Sequence, residues 1–294
     1  MNFKTIIYRP GRIARVILNR PEKLNAQNFT MLQEMDQAFR AATDDPECRV
    51  IILSGNGRSF SAGHDLSSKD QQDDIAQQAA PLAPYERGLL SREIYTDSHL
   101  RWRDLPKPMI AMVHGQCIFG GWMIAAAMDF IFAADDAVFL PSYGDYFTVN
   151  YDVGFRKAKE LLFATRFITA QEALASGLVS RVFPAAELEQ ETLEYAEQVA
   201  ANDPAHNRLV KFAINQAMDA AGFSQSVRAV GVSFITRPYP EATRPGAPPP
   251  AAQTFRPAGL DLNRTFKDRI QRALAYFRRE QARTGQHRQE SKSP

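Results

Sequence analysis

The chain has 294 residues, of which 45% are hydrophobic and 23% are charged, and its formal net charge at pH 7 is +2. This length and composition allow a sizeable buried core, and the small net charge argues against a protein that binds nucleic acid or membrane. No run of eighteen apolar residues occurs, and the N-terminus is typical of strands rather than of a signal peptide. Two cysteines, Cys48 and Cys117, are too few for a disulfide framework. We therefore expect a soluble cytoplasmic protein with buried free thiols.

The N-terminal region predicts a hairpin followed by a helix. Residues 5–20 are β-rich on both sides of Pro10-Gly11, which is a turn dipeptide. Residues 25–45 carry apolar side chains at helical spacing, and these are Phe29, Leu32, Met35 and Phe39. They predict the buried face of a helix.

The segments up to residue 183 alternate between buried strands and helices. Residues 48–57 and 108–115 contain continuous apolar runs that end in turn residues, as buried strands do. Residues 122–140 predict an apolar helix, a strand and a short edge strand, whereas residues 154–183 predict two helices and a last strand. This order indicates a compact α/β core.

The rest of the chain divides into a core and C-terminal parts. We expect a core domain over residues 1–200 and a helical region over residues 201–236. Within the core, the polar residues 67–85 predict an exposed, mobile loop or a loose helix. Residues 237–261 are rich in proline and predict an extended linker. Residues 262–294 predict a basic amphipathic helix and tail, with an apolar face made of Phe266, Ile270, Leu274 and Phe277.

Six short motifs resemble the enoyl-CoA hydratase/isomerase (crotonase) superfamily, in that family's order and spacing over roughly residues 10–200. They are NRPEKLNA, FSAGHDL, LPKPMIAMVHGQCIFGGWM, DFIFAADDAVF, KAKELLF and ITAQEALASGLVSRVFP. The resemblance implies an α/β fold, a crotonase-like spiral of ββα repeats with a helical C-terminal region that assembles subunits into a homotrimer or hexamer. It also implies an acyl-CoA thioester as substrate, with coenzyme A as part of that substrate, no separate cofactor and no metal.

The stretches SAGHD and FGG suit a site that stabilises negative charge. A thioester becomes reactive when its carbonyl oxygen takes negative charge, and two backbone N–H donors aimed at that oxygen form an oxyanion hole. Glycines and small residues let two such donors converge. By the resemblance, the donors are the backbone N–H groups of His64 and Gly120. The imidazole of His64, whose unperturbed pKa of about 6.5 would suit proton transfer, is the disfavoured alternative. Taken alone, FGG would equally suit an ordinary tight turn before a helix.

The resemblance also implies a set of substrate-binding residues. The segment around Lys23 is similar to the family's segment at the adenine of coenzyme A, and Arg20 and Lys23 would face its phosphates unless they are merely solvated. Asp65 would hold its own loop by hydrogen bonds. The expected substrate-binding set is Lys23, Leu24, Ala26, Ala62, Asp65, Leu66 and Trp122. A bulky apolar pocket would be shaped by Phe119, Trp122, Tyr146 and Phe147.

The chain departs from the family at the two glutamates of its hydratases. By the resemblance, one glutamate is replaced by Met123 and the other by Tyr143. A thioether cannot move a proton, and a phenol with an unperturbed pKa of about 10 is a poor base at neutral pH. Hydration by a two-glutamate mechanism is therefore not expected.

Three residues are candidates to replace the missing acids. Tyr143, Asp145 and Asp152 lie in the segment that departs from the family pattern. Asp152 is close to a position where other family members carry a carboxylate, although an ordinary loop aspartate or a helix-capping aspartate before Gly154 explains it at least as well. His99, on a helix that would border the acyl pocket with Asp97, is better explained as a core histidine.

Four hypotheses about function remain open at this point. The first is an acyl-CoA isomerase or lyase that uses one of the three candidate residues as its acid or base. The second is a crotonase-fold hydrolase or carbon–carbon lyase on a non-CoA or polycyclic substrate. The third is a non-catalytic acyl-CoA-binding subunit. The fourth is a nucleic-acid or partner-binding protein that uses the basic C-terminal helix, which the net charge of +2 disfavours.

Overall fold

The computed structural model describes residues 2–66, 68–141 and 144–236, together with Arg279. The predicted linker and terminal helix lie outside the described residues apart from Arg279, and Tyr143 also lies outside them. None of the helices in the described residues is both long and apolar enough to cross a membrane.

Within these residues, nine strands form two sheets. They are β1 (Ile6–Arg9), β2 (Ile13–Leu18), β3 (Val50–Gly55), β4 (Met109–Val113), β5 (Gln116–Ile118), β6 (Phe130–Ala134), β7 (Val138–Leu140), β8 (Ile168–Thr169) and β9 (Arg181–Phe183). The larger sheet has the order β1-β2-β3-β4-β6-β9, and the smaller has the order β5-β7-β8. The hairpin prediction is confirmed, because β1 and β2 pair antiparallel around Pro10-Gly11. The other pairs of the larger sheet are parallel.

The helices surround the two sheets. They are α1 (Phe29–Asp44), α2 (Lys69–Asp74), α3 (Pro84–Arg92), α4 (Ser98–Arg103), α5 (Gly120–Ala126), α6 (Val149–Asp152), α7 (Phe155–Ala164), α8 (Ala170–Ala175), α9 (Leu188–Ala200), α10 (Pro204–Ala220) and α11 (Phe223–Thr236). A 3₁₀ turn spans Pro21–Lys23, and π-helical turns span Ile75–Ala79 and Glu93–Asp97. The mixture of strands and helices up to β9 agrees with the prediction, except that β5 and β8 are further strands that the sequence did not indicate.

The main core lies between α1 and the larger sheet. The predicted apolar face of α1 is confirmed, since Phe29, Leu32, Met35 and Phe39 are all buried there. Cys48 and Cys117 are also buried, as free thiols. On the other side of the sheet, α9 packs its buried Leu188, Ala196 and Ala200 against residues of β3, β4 and β6. Both faces of the parallel sheet are therefore covered, as parallel sheets require.

The polar segment after residue 67 is helical and anchored, so the exposed-loop interpretation is wrong and the helical alternative is correct. Asp74 is buried and accepts hydrogen bonds from Asn28 Nδ2 at 2.8 Å and from the Thr30 backbone N–H at 3.0 Å. Gln71 Oε1 accepts another from the Phe29 backbone N–H at 3.2 Å. Side chains of α2 thus satisfy free donors at the N-terminus of α1.

The C-terminal helices present both core and surface positions. On α10, Leu209 is 66% exposed and Phe212 is 60% exposed, and Ala213 is exposed as well. Met218, on the same helix, packs instead against the main core. Met218 therefore does not belong to the exposed apolar face of α10.

Candidate active site

Two loops meet at the junction of the two sheets. The Ser61 backbone N–H donates to Gln116 O at 2.9 Å, and Ser61 O accepts from the Ile118 N–H at 3.0 Å. Glycines permit this approach: a Cβ on Gly63 would lie 2.7 Å from Ile118 O, and one on Gly121 would lie 2.6 Å from Ser61 O. Both distances are too short for any side chain, which explains the small residues in SAGHD and FGG.

The backbone N–H groups of His64 and Gly120 are free to bind a ligand. His64 forms a parallel bridge with Gln27 in which the flanking Gln27 and Asp65 N–H groups donate the hydrogen bonds. In the part of the chain that the structure describes, the His64 and Gly120 N–H groups have no acceptor. Gly120 opens α5, so its N–H is one of the donors that a helix leaves unsatisfied. A carbonyl oxygen placed between the two groups would be stabilised as it gains charge.

The residue before Gly120 holds a strained backbone conformation. Phe119 has φ 46° and ψ −105°, which is rare for a residue with a side chain. Its N–H donates to Leu140 O at 2.9 Å and its O accepts from the Met123 N–H at 3.1 Å. These bonds hold the turn that points Gly120 N–H into the site. Strain of this kind clusters at functional sites.

The imidazole of His64 lies against Gly120, a position that the sequence did not suggest. A Cβ on Gly120 would lie 2.6 Å from His64 Cδ2 and 2.8 Å from Nε2. Nδ1 is 3.7 Å from Asp145 Oδ2, and the ring lies 4.5 Å from that of Tyr95, centroid to centroid. Burial lowers the pKa of His64 to about 4, so the ring is neutral at pH 7.

Asp145 reaches His64 from the loop that follows β7. Its backbone is in the left-handed region with φ 53°, which aspartate tolerates better than most residues. Its carbonyl accepts from the Phe147 N–H at 3.0 Å. The segment that departs from the family pattern therefore places a carboxylate beside the imidazole.

Asp152 lies at the end of α6 and is held by two donors. Trp122 Nε1 and Thr148 Oγ1 each donate to Asp152 Oδ2 at 2.7 Å. Burial raises the pKa of Asp152 to about 7, although the two hydrogen bonds act in the opposite direction. Because its acceptor oxygen faces Trp122 and Thr148 rather than the start of α7, the helix-capping alternative is wrong.

Trp122 and Met123 form the inner side of α5. Both side chains are buried, and the Trp122 ring packs edge-on against Phe139 at 6.3 Å. Tyr146 is buried nearby, and its pKa is raised, first by burial and then by the charge of Asp152. The side chain of Met123 offers no proton, whereas the carboxyl of Asp152 contacts this side of α5 through its hydrogen bond to Trp122.

His99 is a core histidine, as preferred from the sequence. It is fully buried, its ring lies 4.5 Å from that of Trp102 and 5.3 Å from that of Tyr146, and Nδ1 is 3.1 Å from Ser98 Oγ. Burial lowers its pKa to about 3. Asp97 forms an ion pair with Arg92 at 3.0 Å and is thereby engaged away from the two loops.

The predicted coenzyme A segment is built around a buried arginine. Arg20 is only 4% exposed and its guanidinium pairs with Asp65 and Asp70, each at 2.8 Å. The expectation that Arg20 faces phosphates is wrong, because its charge is already compensated inside the protein. Asp65 also accepts from the Ser68 N–H at 2.9 Å, which is the loop-holding role expected for it.

Other predicted substrate-binding residues lie at the surface of the same loops. Lys23 Nζ pairs with Asp70 at 2.6 Å. Leu24 has φ 52°, and its carbonyl accepts from the Ala62 N–H at 2.9 Å. The Ala26 N–H donates to Lys23 O at 3.0 Å, and Leu66 is 42% exposed. The backbone therefore joins Lys23 to Ala26 and Leu24 to Ala62, and the side chain of Leu66 faces solvent.

Sequence reasoning missed Gln27 and Tyr95. Gln27 Oε1 would lie 2.6 Å from a Cβ on Gly120, and its Nε2 donates to Ser61 Oγ at 3.1 Å. Tyr95 projects from the π-helical turn towards His64. Neither belongs to a motif, so no signal in the sequence marks them. Among the described residues, no cluster of three or more His, Cys, Asp or Glu side chains is arranged to hold a metal ion.

The α/β fold with these two glycine-bearing loops is that of a crotonase-fold protein. The family model for enoyl-CoA hydratase/isomerase matches residues 9–232, and the chain belongs to this family.

Similar proteins carry related names. The chain is 34% identical over 250 residues to the short-chain-enoyl-CoA hydratase of Clostridium acetobutylicum. This alignment covers 81% of this chain and 92% of that protein. It is 36% identical over 208 residues to the human mitochondrial Delta(3,5)-Delta(2,4)-dienoyl-CoA isomerase, and this alignment covers 65% of this chain and 62% of that protein. A solved structure described as a probable enoyl-CoA hydratase from Mycobacterium smegmatis is 39% identical, with a TM-score of 0.71 over 79% of this chain and 93% of that one.

Proposed function

We propose that the protein is an acyl-CoA isomerase that moves a proton along the acyl group of an acyl-CoA thioester. The backbone N–H groups of His64 and Gly120 would form the oxyanion hole, and Asp152 would carry the transferred proton. Coenzyme A would be part of the substrate, and no further cofactor would be needed. The similarity to a protein named as a dienoyl-CoA isomerase supports this reaction type.

The observation that carries the proposal is the environment of Asp152. A carboxyl group with a pKa of about 7 holds and releases a proton near neutral pH, which is what proton transfer requires. The group is fixed by Trp122 Nε1, and Trp122 is two residues beyond Gly120 on the same helix. A proton carrier is thus attached to the helix that would stabilise the developing anion.

Hydration receives less support from this arrangement. A hydratase of this family would need a glutamate where the chain has Met123, which is buried and has no ionisable group. Proton transfer within one substrate needs no activated water. The acid at Asp152 is sufficient for isomerisation and insufficient for the two-glutamate hydration mechanism.

The experiment is an isomerase assay with 3-enoyl-CoA and 3,5-dienoyl-CoA thioesters of several chain lengths, followed by the absorbance of the conjugated product. Asp152→Asn should lower kcat about 100-fold or more, because a positioned acid or base contributes about that much. The control is Asp44→Asn, at the exposed end of α1, which should retain full activity. Activity of Asp152→Asn within a few-fold of wild type would contradict the assigned role.

We also propose a homotrimer, or a hexamer of two trimers, that uses the exposed face of α10. Leu209 and Phe212 lie three residues apart on one face of this helix and are largely exposed, and exposed apolar side chains grouped on one face are typical of a protein interface. Phe212→Glu should shift the sedimentation coefficient to that of a smaller species. A full-length wild-type protein that sediments as a monomer would contradict the assembly.

The two buried free thiols suit a reducing compartment such as the cytoplasm.

A further inference from the structure

The imidazole of His64 lies beside the two free backbone donors. We propose that His64 is the catalytic base that removes a proton from the acyl chain, that Asp145 is its positioning residue, and that Asp152 is the acid that returns a proton to a different carbon. The inference rests on the proposed isomerase function and divides its proton transfer between two named groups.

The first support is the position of the ring. A Cβ on Gly120 would lie 2.8 Å from His64 Nε2, so this nitrogen is in contact with the residue whose N–H would bind the thioester oxygen. The carbon next to the thioester carbonyl is the one that loses a proton when an enolate forms. A base placed beside the donors for the carbonyl oxygen is therefore also beside that carbon.

The second support is the state of the two ring nitrogens. Nδ1 is 3.7 Å from Asp145 Oδ2, and a carboxylate on this side favours the tautomer with the proton on Nδ1. Nε2 is then an acceptor with a free lone pair. It is buried, and among the described residues it has no hydrogen-bond partner. A buried acceptor without a partner is costly in a folded protein, which indicates that the substrate supplies the missing proton donor.

The third support is the fixed orientation of the ring. Tyr95 packs against one side of the imidazole at 4.5 Å, Gly120 lies against Nε2, and Asp145 lies beyond Nδ1. The neighbouring Asp65 carboxylate is committed to Arg20 at 2.8 Å. The nearby His99 is neutral, because burial lowers its pKa to about 3. Asp145 is therefore the charged group that sets the tautomer of His64.

The environments of His64 and Asp152 differ in the way that a base and an acid require. Burial lowers the pKa of His64 to about 4 and raises that of Asp152 to about 7. Tyr146, the other titratable group beside Asp152, has a raised pKa and is neutral. Between these two pKa values, His64 is unprotonated while Asp152 is protonated. Paired groups whose pKa values are separated by their surroundings mark acid and base assignments.

The transfer balances without a further reactant. A C–H bond of the acyl chain breaks, its proton forms an N–H bond at His64 Nε2, and its electron pair moves into the enolate held by the two backbone N–H groups. The O–H bond of Asp152 then breaks and its proton forms a C–H bond at another carbon, while the enolate returns to a thioester. The proton on His64 passes to the Asp152 carboxylate through solvent, which restores both groups.

Hydrogen exchange separates the two roles. Removal of an α-proton from a saturated acyl-CoA needs the base but not the acid, so ¹H NMR of butyryl-CoA to decanoyl-CoA in D₂O reports on the base alone. Asp152→Asn should retain this exchange while it loses isomerisation. In His64→Gln and His64→Ala, the rates of exchange and of isomerisation should both fall by about 100-fold or more. Added imidazole should restore part of the exchange rate of His64→Ala.

The outcomes distinguish this inference from the proposed function. No exchange and no isomerisation by the wild-type enzyme would contradict the proposed function itself. Exchange that persists in the His64 variants, or that is lost in Asp152→Asn, would overturn only the assignment of the base. A rate profile for isomerisation that rises through pH 7, instead of falling, would overturn it as well, because the acid must be protonated.

A measurement on the free enzyme needs no substrate. ¹⁵N NMR of the histidine rings should show His64 with a proton on Nδ1 and none on Nε2 at pH 7, and a pKa near 4. Asp145→Asn should weaken this tautomer preference and lower kcat more than it changes KM. A proton on Nε2 in the wild-type enzyme would overturn the proposal.

Discussion

Trp122 Nε1 donates a 2.7 Å hydrogen bond to Asp152 Oδ2. This bond joins α5, which begins at Gly120, to the end of α6, where Asp152 lies. Without it, burial would raise the pKa of Asp152 still further, because the hydrogen bonds from Trp122 and Thr148 both favour the charged form. The tryptophan thus lowers the pKa of this carboxyl relative to the effect of burial.

Trp122→Phe should therefore raise the pKa of Asp152. The substitution removes the indole donor and keeps a smaller aromatic ring. Since a hydrogen bond to a charged group is worth about 1.5–3 kcal/mol, the pKa should rise by about one to two units. The midpoint of the isomerase rate profile near pH 7 should move upward. Phe139→Leu, which alters the packing partner of the ring but not the donor, should leave this midpoint in place; an unchanged or lower midpoint in Trp122→Phe would contradict the coupling.

Asp152→Asn should stabilise the protein in a pH-dependent way. The folded-state pKa of about 7 lies above the ordinary value of 3.8, so between about pH 4 and pH 7 the unfolded chain loses a proton that the folded chain keeps. Wild-type stability should fall over this window and level off above it. The variant has no carboxyl at this position and so does not lose this stability. Its free energy of unfolding should exceed that of the wild type by on the order of 2 kcal/mol at pH 8, after a discount for partial solvent exposure. Urea unfolding at pH 4.5 and pH 8 measures it, and an advantage that is equal at both values would contradict the raised pKa.

Gly120→Ala should slow thioester chemistry strongly without unfolding the protein. The new Cβ would lie 2.6 Å from both Gln27 Oε1 and His64 Cδ2, so the two loops must move apart by a few tenths of an ångström or more. Alanine keeps the N–H, but displacing it from the thioester oxygen should cost up to the value for losing one oxyanion donor, about 100-fold to 1000-fold in kcat. Gly154→Ala is the control, because it has φ 81° but open space around it. It should lose about 1 kcal/mol of stability and keep its rate, whereas equal rates in both variants would count against the site.

Much of the fold could be predicted from local patterns. The hairpin, the buried face of α1 and the order of strands and helices follow from apolar periodicity and turn residues, which depend on neighbours in the sequence. The position of α2 could not be predicted in this way. Asp74 and Gln71 are polar residues in a polar segment, and they are buried only because they bond to the start of α1, more than forty residues away in the chain.

The candidate site was predictable at its backbone and not at its side chains. The glycines around His64 and Gly120 mark two loops that must approach closely, and this approach is what the structure shows. The orientation of the His64 imidazole depends on Asp145 and Tyr95, which come from distant segments. Arg20 was misread for the same reason, because its partners Asp65 and Asp70 lie about fifty residues later.

Arg20→Met should destabilise the protein strongly. The guanidinium compensates the buried carboxylate of Asp65, and removing one member of a buried ion pair costs about 3–5 kcal/mol. Lys23→Met is the matched control, since it removes a more exposed partner of Asp70 and should cost less than about 1 kcal/mol. Thermal unfolding of both variants compares them. Similar losses would show that Arg20 is not the anchor of this loop.

The most direct test of the central claim compares two reactions of one enzyme preparation. Isomerisation of 3-enoyl-CoA and hydration of crotonyl-CoA are measured side by side at pH 7, each followed by ¹H NMR of the product. If the protein is an isomerase, isomerisation should have a kcat within the usual enzyme range of about 1–1000 s⁻¹. Hydration should be slower by about 100-fold or more, because Met123 cannot assist a water molecule. Hydration at a kcat of roughly 10 s⁻¹, equal to or faster than isomerisation, would contradict the account.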